Sequence, residues 1–183
     1  MNLLYSVAND ERGSFDMFYN IYYEQVFRFV YYFLKDKESC REVVADVFYG
    51  IWQSRKRLKD IENINTYLYI TARNKSIRFM KQNFSSFLSL EEIPILLEKS
   101  EEVSPEDEII NKEIETLLTK TINELPERCR IIFLMIRSEG LKAREVAEIL
   151  SIKESTVRAQ MKIAIEKITE AIKPYYPNLR ANH

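Results

Sequence analysis

Apolar residues along this chain recur mostly at spacings of three and four, the period of an α-helix rather than the alternation of a strand. From Ser14 the pattern predicts a helix to about Leu34, with Ser14 as its cap and Asp16 in its first turn. Aromatic residues crowd this segment, among them Phe15, Phe18, Tyr19, Tyr22, Phe29 and Tyr32. They surround more than one face, which suits a helix buried on two sides of a bundle, with some tyrosines left for a protein partner. A second helix is predicted from Lys37 to Arg57. Its core stripe is Cys40, Val43, Val44, Val47, Ile51 and Trp52. Glu42, Ala45, Asp46 and Tyr49 fall on another face, which either meets a basic partner or is simply solvated. A third helix, capped by Asn65 or Thr66, runs to about Gln82 with Leu68 and Ala72 pointing inward.

The pattern resumes near Ile109. Ile110, Ile114, Leu117, Leu118 and Ile122 form one stripe, broken at Leu125-Pro126. Pro126 fits the first turn of the next helix. Cys129, Ile132, Phe133 and Ile136 continue the core, and Gly140 closes that helix. Two short helical patterns then meet at a tight turn between Leu141 and Ile168. Val146, Ala147 and Leu150 are apolar in the first; Val157, Met161, Ala164 and Ile168 share one face of the second. Ile152 plugs the turn, and Ala147 is small enough for two helices to cross closely. The spacing suits a helix-turn-helix, whose second helix enters the major groove of DNA. Ser155, Arg158, Ala159 and Lys162 lie opposite the apolar stripe, offering donors to phosphates and base edges. An ordinary helical hairpin with a solvated face is the alternative.

Composition supports an all-α chain of two small helical domains. Of 183 residues, 46% are hydrophobic and only three are glycine and five proline. The formal net charge of −1 hides two blocks of opposite sign. Between Ile51 and Asn83 there are eight basic residues (Arg55, Lys56, Arg57, Lys59, Arg73, Lys75, Arg78, Lys81) against Asp60 and Glu62. Interleaved with Tyr67, Tyr69 and Phe79, they suit a surface that follows a nucleic-acid backbone and stacks bases. Between Glu91 and Glu108 there are eight acidic residues against Lys99 alone. With its serines and Pro94, this stretch is expected to be a flexible, solvated tether. The expected organisation is therefore a first domain at 1–84, an acidic linker at 85–108 and a helix-turn-helix domain at 109–183.

The same inventory weighs against an enzyme. His183, the last residue, is the only histidine, so a Cys/His zinc site, a Ser-His-Asp triad and a histidine general base are all out of reach. No metal and no cofactor is expected. Cys40 and Cys129 each lie on an apolar stripe and are expected as buried free thiols. No secretory signal or membrane span is read in the chain, which is expected to be soluble and cytoplasmic.

Two helical domains, a basic helix in the first, an acidic tether and a final helix-turn-helix together resemble a sigma factor of bacterial RNA polymerase. The chain is similar to the extracytoplasmic function (ECF) group of the sigma-70 family, over roughly residues 14 to 170. REVVADVFYGIW (41–52) is similar to the family's polymerase-clamp-binding helix. INTYLYITARNKSIRFMK (64–81) is similar to the segment that reads and melts the −10 promoter element. LPERCRIIFLMIRSEGLKAREVAEILSIKESTVRAQMKIAIEKI (125–168) is similar to the domain that reads the −35 element. The chain departs from the family pattern at Ala45, where glutamine is usual, at Tyr67 for tryptophan and at Arg78 for aspartate. Ser151 replaces the usual turn glycine, and Gln160 and Ile163 stand where basic residues are common.

The resemblance implies a binding protein with no catalytic residues, which directs promoter-specific transcription initiation and aids promoter melting. Glu42, Asp46, Phe48 and Tyr49 would dock on the coiled coil of the core polymerase β′ subunit, and the second domain on the β flap. Asn63 and Tyr67 would capture −10 bases; Arg73, Asn74, Lys75, Arg78 and Lys81 complete that surface. Glu154, Ser155, Thr156, Arg158, Ala159 and Lys162 would read the −35 promoter DNA. An anti-sigma factor, often membrane-anchored, is a further implied partner, and the acidic linker would thread the polymerase cleft. A self-sufficient helix-turn-helix transcriptional regulator is the alternative, though such a protein has no need of the basic block at 51–83.

Overall fold

The computed structural model describes residues 3–83 and 105–175, with side chains in the second stretch from 113 onward. The chain divides into two compact units, Met1–Glu91 and Glu92–His183. All regular structure among the described residues is helical. Most of the expected acidic linker, His183 and Pro177 lie outside the described residues.

The first unit opens with a short helix that the hydrophobic pattern does not announce, α1 (Leu3–Ala8). Val7 is fully buried, and α1 packs against α2 (Ser14–Leu34) and a 3-10 helix at Arg55–Asp60. The Asp10 carboxylate just after α1 ion-pairs with the Arg55 guanidinium, whose hydrogen bond holds that carboxyl below its usual range. Ser14 does not cap α2. Gly13 holds the cap position at φ 76°, and the Ser14 hydroxyl donates backwards to the Glu11 carbonyl at 2.7 Å. A glycine at positive φ starts the helix without the clash an L side chain would meet there.

Helix α2 packs against both α3 (Lys37–Gln53) and α4 (Ile64–Gln82), which also pack on each other. That is why its aromatics surround more than one face. Phe18, Val26, Phe29 and Val30 are fully buried. The Phe29 and Tyr69 rings lie 4.6 Å apart, and Gln25 Nε2 donates to the Tyr69 hydroxyl at 2.7 Å. The buried phenol is thus satisfied, as burial requires. Asp36 caps α3 by accepting from the Ser39 N–H at 2.8 Å. Cys40, Val43, Val44, Val47 and Ile51 form the expected stripe. Burial pushes the Cys40 thiol up to about 12, so it stays protonated and unreactive.

Two boundaries and one core residue differ from the sequence expectation. Helix α3 ends at Gln53 rather than Arg57, because the chain tightens into the 3-10 helix after Ser54. Trp52 is not core: it is 39% exposed, with the Arg55 guanidinium 4.1 Å from its ring centre. Helix α4 is capped by Asn63, not Asn65 or Thr66; the Asn63 carboxamide oxygen accepts from the Thr66 N–H at 3.0 Å.

In the second unit, α5 (Pro105–Asn123), α6 (Glu127–Arg137) and α7 (Ala143–Leu150) all pack on α8 (Glu154–Ile172). Helix α5 begins four residues before the expected Ile109. Proline suits the first position of a helix, and the helical backbone here takes in 106–108, the end of the stretch expected as a tether. Pro126 sits at the cap position just ahead of α6. Phe133 and Ile136 are only half-buried; Ile131, Leu134 and Met135 fill the core with Cys129 and Ile132. Arg130, 5% exposed, donates to the carbonyl of Asn123 at the end of α5, at 2.9 Å. Burial lowers its pKa. Gly140 turns the chain after α6 at φ 65°, and the Leu141 N–H reaches the Met135 carbonyl at 3.2 Å.

The turn between α7 and α8 is closed by the Ile152 N–H on the Ala147 carbonyl at 2.9 Å. Ser151 stands in it at φ 54°, ψ 49°, a left-handed conformation. An L residue there carries about 1–2 kcal/mol of strain that glycine avoids. Ser151→Gly is therefore expected to stabilise the chain by about 0.5–1 kcal/mol, the remainder being offset by the freer unfolded glycine. Chemical denaturation of the full chain, followed by helical circular dichroism, measures it; an unchanged or lowered midpoint contradicts the strain argument.

Candidate nucleic-acid and protein interfaces

Three exposed surfaces carry the residues singled out by the sequence. On α8, Val157 and Ala164 are fully buried against the other helices, with Met161 and Ile168 half-buried beside them. This fixes the opposite side outward: Ser155, Arg158, Ala159 and Lys162 are exposed, and Glu154 and Thr156 half-buried. Neither cation stands alone. Arg158 donates through Nε (3.1 Å) and Nη2 (2.5 Å) to Glu154 Oε1, and Lys162 Nζ lies 3.8 Å from Glu166 Oε1. Exposed i,i+4 pairs are worth about 0.3–0.5 kcal/mol, so a phosphate or guanine edge would displace them at little cost.

The second surface belongs to α4 and the loop before it. Asn63, Asn74, Arg78 and Lys81 are exposed, while Tyr67, Arg73 and Lys75 are half-buried. The Arg73 guanidinium rests on the Asn74 carboxamide oxygen at 2.8 and 3.1 Å. The Tyr67 hydroxyl lies 3.4 Å from the Ser54 hydroxyl. Tyr69 drops out of the expected stacking surface: it is fully buried against Phe29. Asn63 keeps its place at the surface, but its carboxamide oxygen serves the helix cap.

The third surface is the acidic side of α3. Glu42, Ala45, Asp46 and Tyr49 are exposed, and Tyr49 at 61% is among the barest large side chains. Phe48 is 3% exposed, packed at 4.7 Å on the Tyr19 ring and 6.2 Å on Phe18. It is mostly core and supports this surface from beneath. Trp52, expected in the core stripe, joins this surface instead. With Phe15, Tyr19, Phe48 and Tyr49 it lines a groove of about 630 Å³, rimmed by Asp10 and Asp16. The spacing Ala45, Tyr49, Trp52 carried that signal, since residues four and three apart share a helix face. An ion pair from Lys75 Nζ to Asp46 Oδ2, 3.4 Å, joins the acidic side of α3 to the basic side of α4.

Among the described residues, no cluster of histidine, cysteine and carboxylate groups is placed to hold a metal, and no helix is long and apolar enough to cross a membrane. Comparison with known proteins divides the chain at the same two units. Residues 18–84 match the family Sigma-70 region 2, and residues 115–168 match Sigma-70, region 4. The RNA polymerase sigma-H factor of Pseudomonas aeruginosa is 24% identical over 181 residues, spanning 94% of this chain and 93% of that protein. The ECF RNA polymerase sigma factor SigW of Bacillus subtilis is 22% identical over 162 residues, spanning 85% and 87%. Among solved structures, CnrH in complex with the cytosolic domain of CnrY shares the fold, with a TM-score of 0.61 at 14% identity over 94% of this chain and 96% of that one.

Proposed function

Because the chain belongs to the ECF group of the sigma-70 family, and so is a sigma factor that directs RNA polymerase to promoters in transcription initiation, we propose that its three exposed surfaces divide that work. The observation that carries the division is the segregation of charge: acids on α3, cations on α4, and a donor-bearing strip on α8. Glu42, Asp46 and Tyr49 dock the first unit on the coiled coil of the polymerase β′ subunit, with Phe48 holding Tyr19 and Phe18 in place below them. The second unit sits on the β flap. Both DNA readers are thereby set at the spacing of a promoter.

Helix α8 reads the duplex −35 element through Ser155, Arg158, Ala159 and Lys162, with Glu154 and Thr156 at its entry. Asn63 and Tyr67 receive an unpaired −10 base. Unstacking a base costs a few kcal/mol, which a pocket recovers by stacking and hydrogen bonding. Arg73, Lys75, Arg78 and Lys81 hold the phosphates, Asn74 orients Arg73, and trapping of opened bases favours melting. Nothing in this division of labour makes or breaks a covalent bond: the work is binding, done in the cytoplasm beside the polymerase. CnrH is found in complex with the cytosolic domain of CnrY. By analogy an anti-sigma protein covers the first unit here, and the Trp52 groove beside α3 is where its apolar residues find purchase.

Co-purification with core polymerase followed by run-off transcription tests the assignment. The chain is expected to bind core, and the assembled enzyme to initiate at promoters that core alone ignores. A chain that binds duplex promoter tightly by itself, with core polymerase gaining nothing from it, is instead a stand-alone helix-turn-helix regulator.

A further inference from the structure

Ile163 has no place in the division of labour above. It is 39% exposed, on the recognition helix, in a chain whose α8 otherwise buries its branched apolar residues at least in part. At 100° per residue it falls on the outward side four residues beyond Ala159, which is also exposed. Ala159 and Ile163 therefore form one flank of the outward surface. Arg158 and Lys162, likewise four apart, form the other flank, and both are drawn sideways into pairs with Glu154 and Glu166. The strip is thus half cationic and half methyl-bearing. Leaving a branched side chain in water gains nothing for the fold, and the core beneath is already filled by Val157 and Ala164. The apolar flank is explained if its partner is apolar too.

On the assignment of α8 to the −35 duplex, on which this inference rests, the partner is a major groove. The one apolar group that groove offers is the C5 methyl of thymine. We propose that Ala159 and Ile163 are specificity-determining residues that select neighbouring thymines in the −35 element by methyl contact. Ala159 lets the helix approach closely, and Ile163 covers the next methyl along the groove. Base preference on this flank is then set by burial of hydrocarbon and not by hydrogen bonds. That choice suits a helix with isoleucine and glutamine at positions 163 and 160, where cations would otherwise add phosphate attraction without reading bases.

Deoxyuridine tests this directly, because it removes the methyl and leaves every hydrogen-bonding edge of the base pair intact. Polymerase reconstituted with the full chain would first select upstream sequences from duplexes randomised across the −35 region. Adjacent thymines are expected to be enriched. Replacing each enriched thymine by deoxyuridine is expected to weaken binding about fourfold, the worth of one buried methyl. Ile163→Ala is expected to erase that preference at one of the two positions, with the melting transition of the free chain unchanged. Enrichment without any discrimination between thymine and deoxyuridine overturns the methyl contact and leaves the −35 assignment standing. Equal discrimination in wild type and Ile163→Ala overturns the role of Ile163. Absence of any enrichment overturns the −35 assignment, and this inference with it. The base substitution leaves the protein untouched, so its result does not depend on the variant folding.

Discussion

Asp46→Arg is expected to abolish co-purification with core RNA polymerase while the first unit stays folded. Asp46 lies mid-helix on the exposed side of α3, with 64% of its side chain open to solvent, so arginine is accommodated without touching the core. Arginine is also the better helix former. The loss to the fold is the ion pair with Lys75, a surface contact worth about 0–1 kcal/mol. The loss at the interface is larger, because reversal deletes an attraction and installs a repulsion against the same cationic partner. Breaking a desolvated charge pair across an interface costs about 2–5 kcal/mol, roughly 30-fold to several-thousand-fold in affinity. Pull-down of core polymerase by the tagged chain, beside a thermal melt of the free chain, measures both. Retained core binding at near wild-type affinity removes Asp46 from the polymerase interface.

Arg158→Ala is expected to have the complementary phenotype. Polymerase binding stays intact, and transcription from promoters that need a −35 element falls by about 5- to 150-fold, the effect of losing about 1–3 kcal/mol of base discrimination. Part of the loss comes from Glu154. With Arg158 gone, its carboxylate faces the DNA without the guanidinium that holds it at 2.5 Å. Glu154→Gln in the Arg158→Ala background is therefore expected to restore some activity. Run-off transcription on templates with intact and scrambled −35 elements gives the measure. If Arg158→Ala lowers both equally, or if it loses core polymerase together with promoter activity, α8 is not a −35 reader.

The hydrophobic period made most helices legible, because burial of one stripe is what stabilises a helix in a protein of this size. It failed where local geometry competes with that period. Helix α1 is six residues long, too short for a period to show, and is held by Val7 and by Asp10 reaching Arg55. Ser14 had the chemistry of a cap but sits one residue too late, after a glycine whose backbone makes the turn. Asn63 also caps α4 by accepting from the Thr66 N–H, a role that the apolar period does not mark.

The exposed surfaces were legible to the extent that charge marks them. Glu42, Asp46, Arg78, Lys81, Arg158 and Lys162 all lie open to solvent. Aromatics were the weak point, since a phenyl or indole ring suits a core and an interface equally. Phe48 and Tyr69 went inward, packed on Tyr19 and Phe29, and Trp52 came outward. Arg130 carries no mark in the sequence for the opposite reason. An arginine among Cys129, Ile131 and Ile132 reads as a surface residue, yet it is buried to finish the carbonyl end of α5.

Helix α8 meets α5, α6 and α7 along one side and solvent along the other. Val157 and Ala164 are fully buried, whereas Ser155, Ala159, Lys162 and Ile163 are exposed. Substitutions at the outer positions are therefore expected to alter target preference at almost no thermodynamic cost to the host domain. On the proposed reading of α8, duplicated copies of such a gene would be free to diverge in the promoters they serve, one outward position at a time, without passing through an unfolded intermediate.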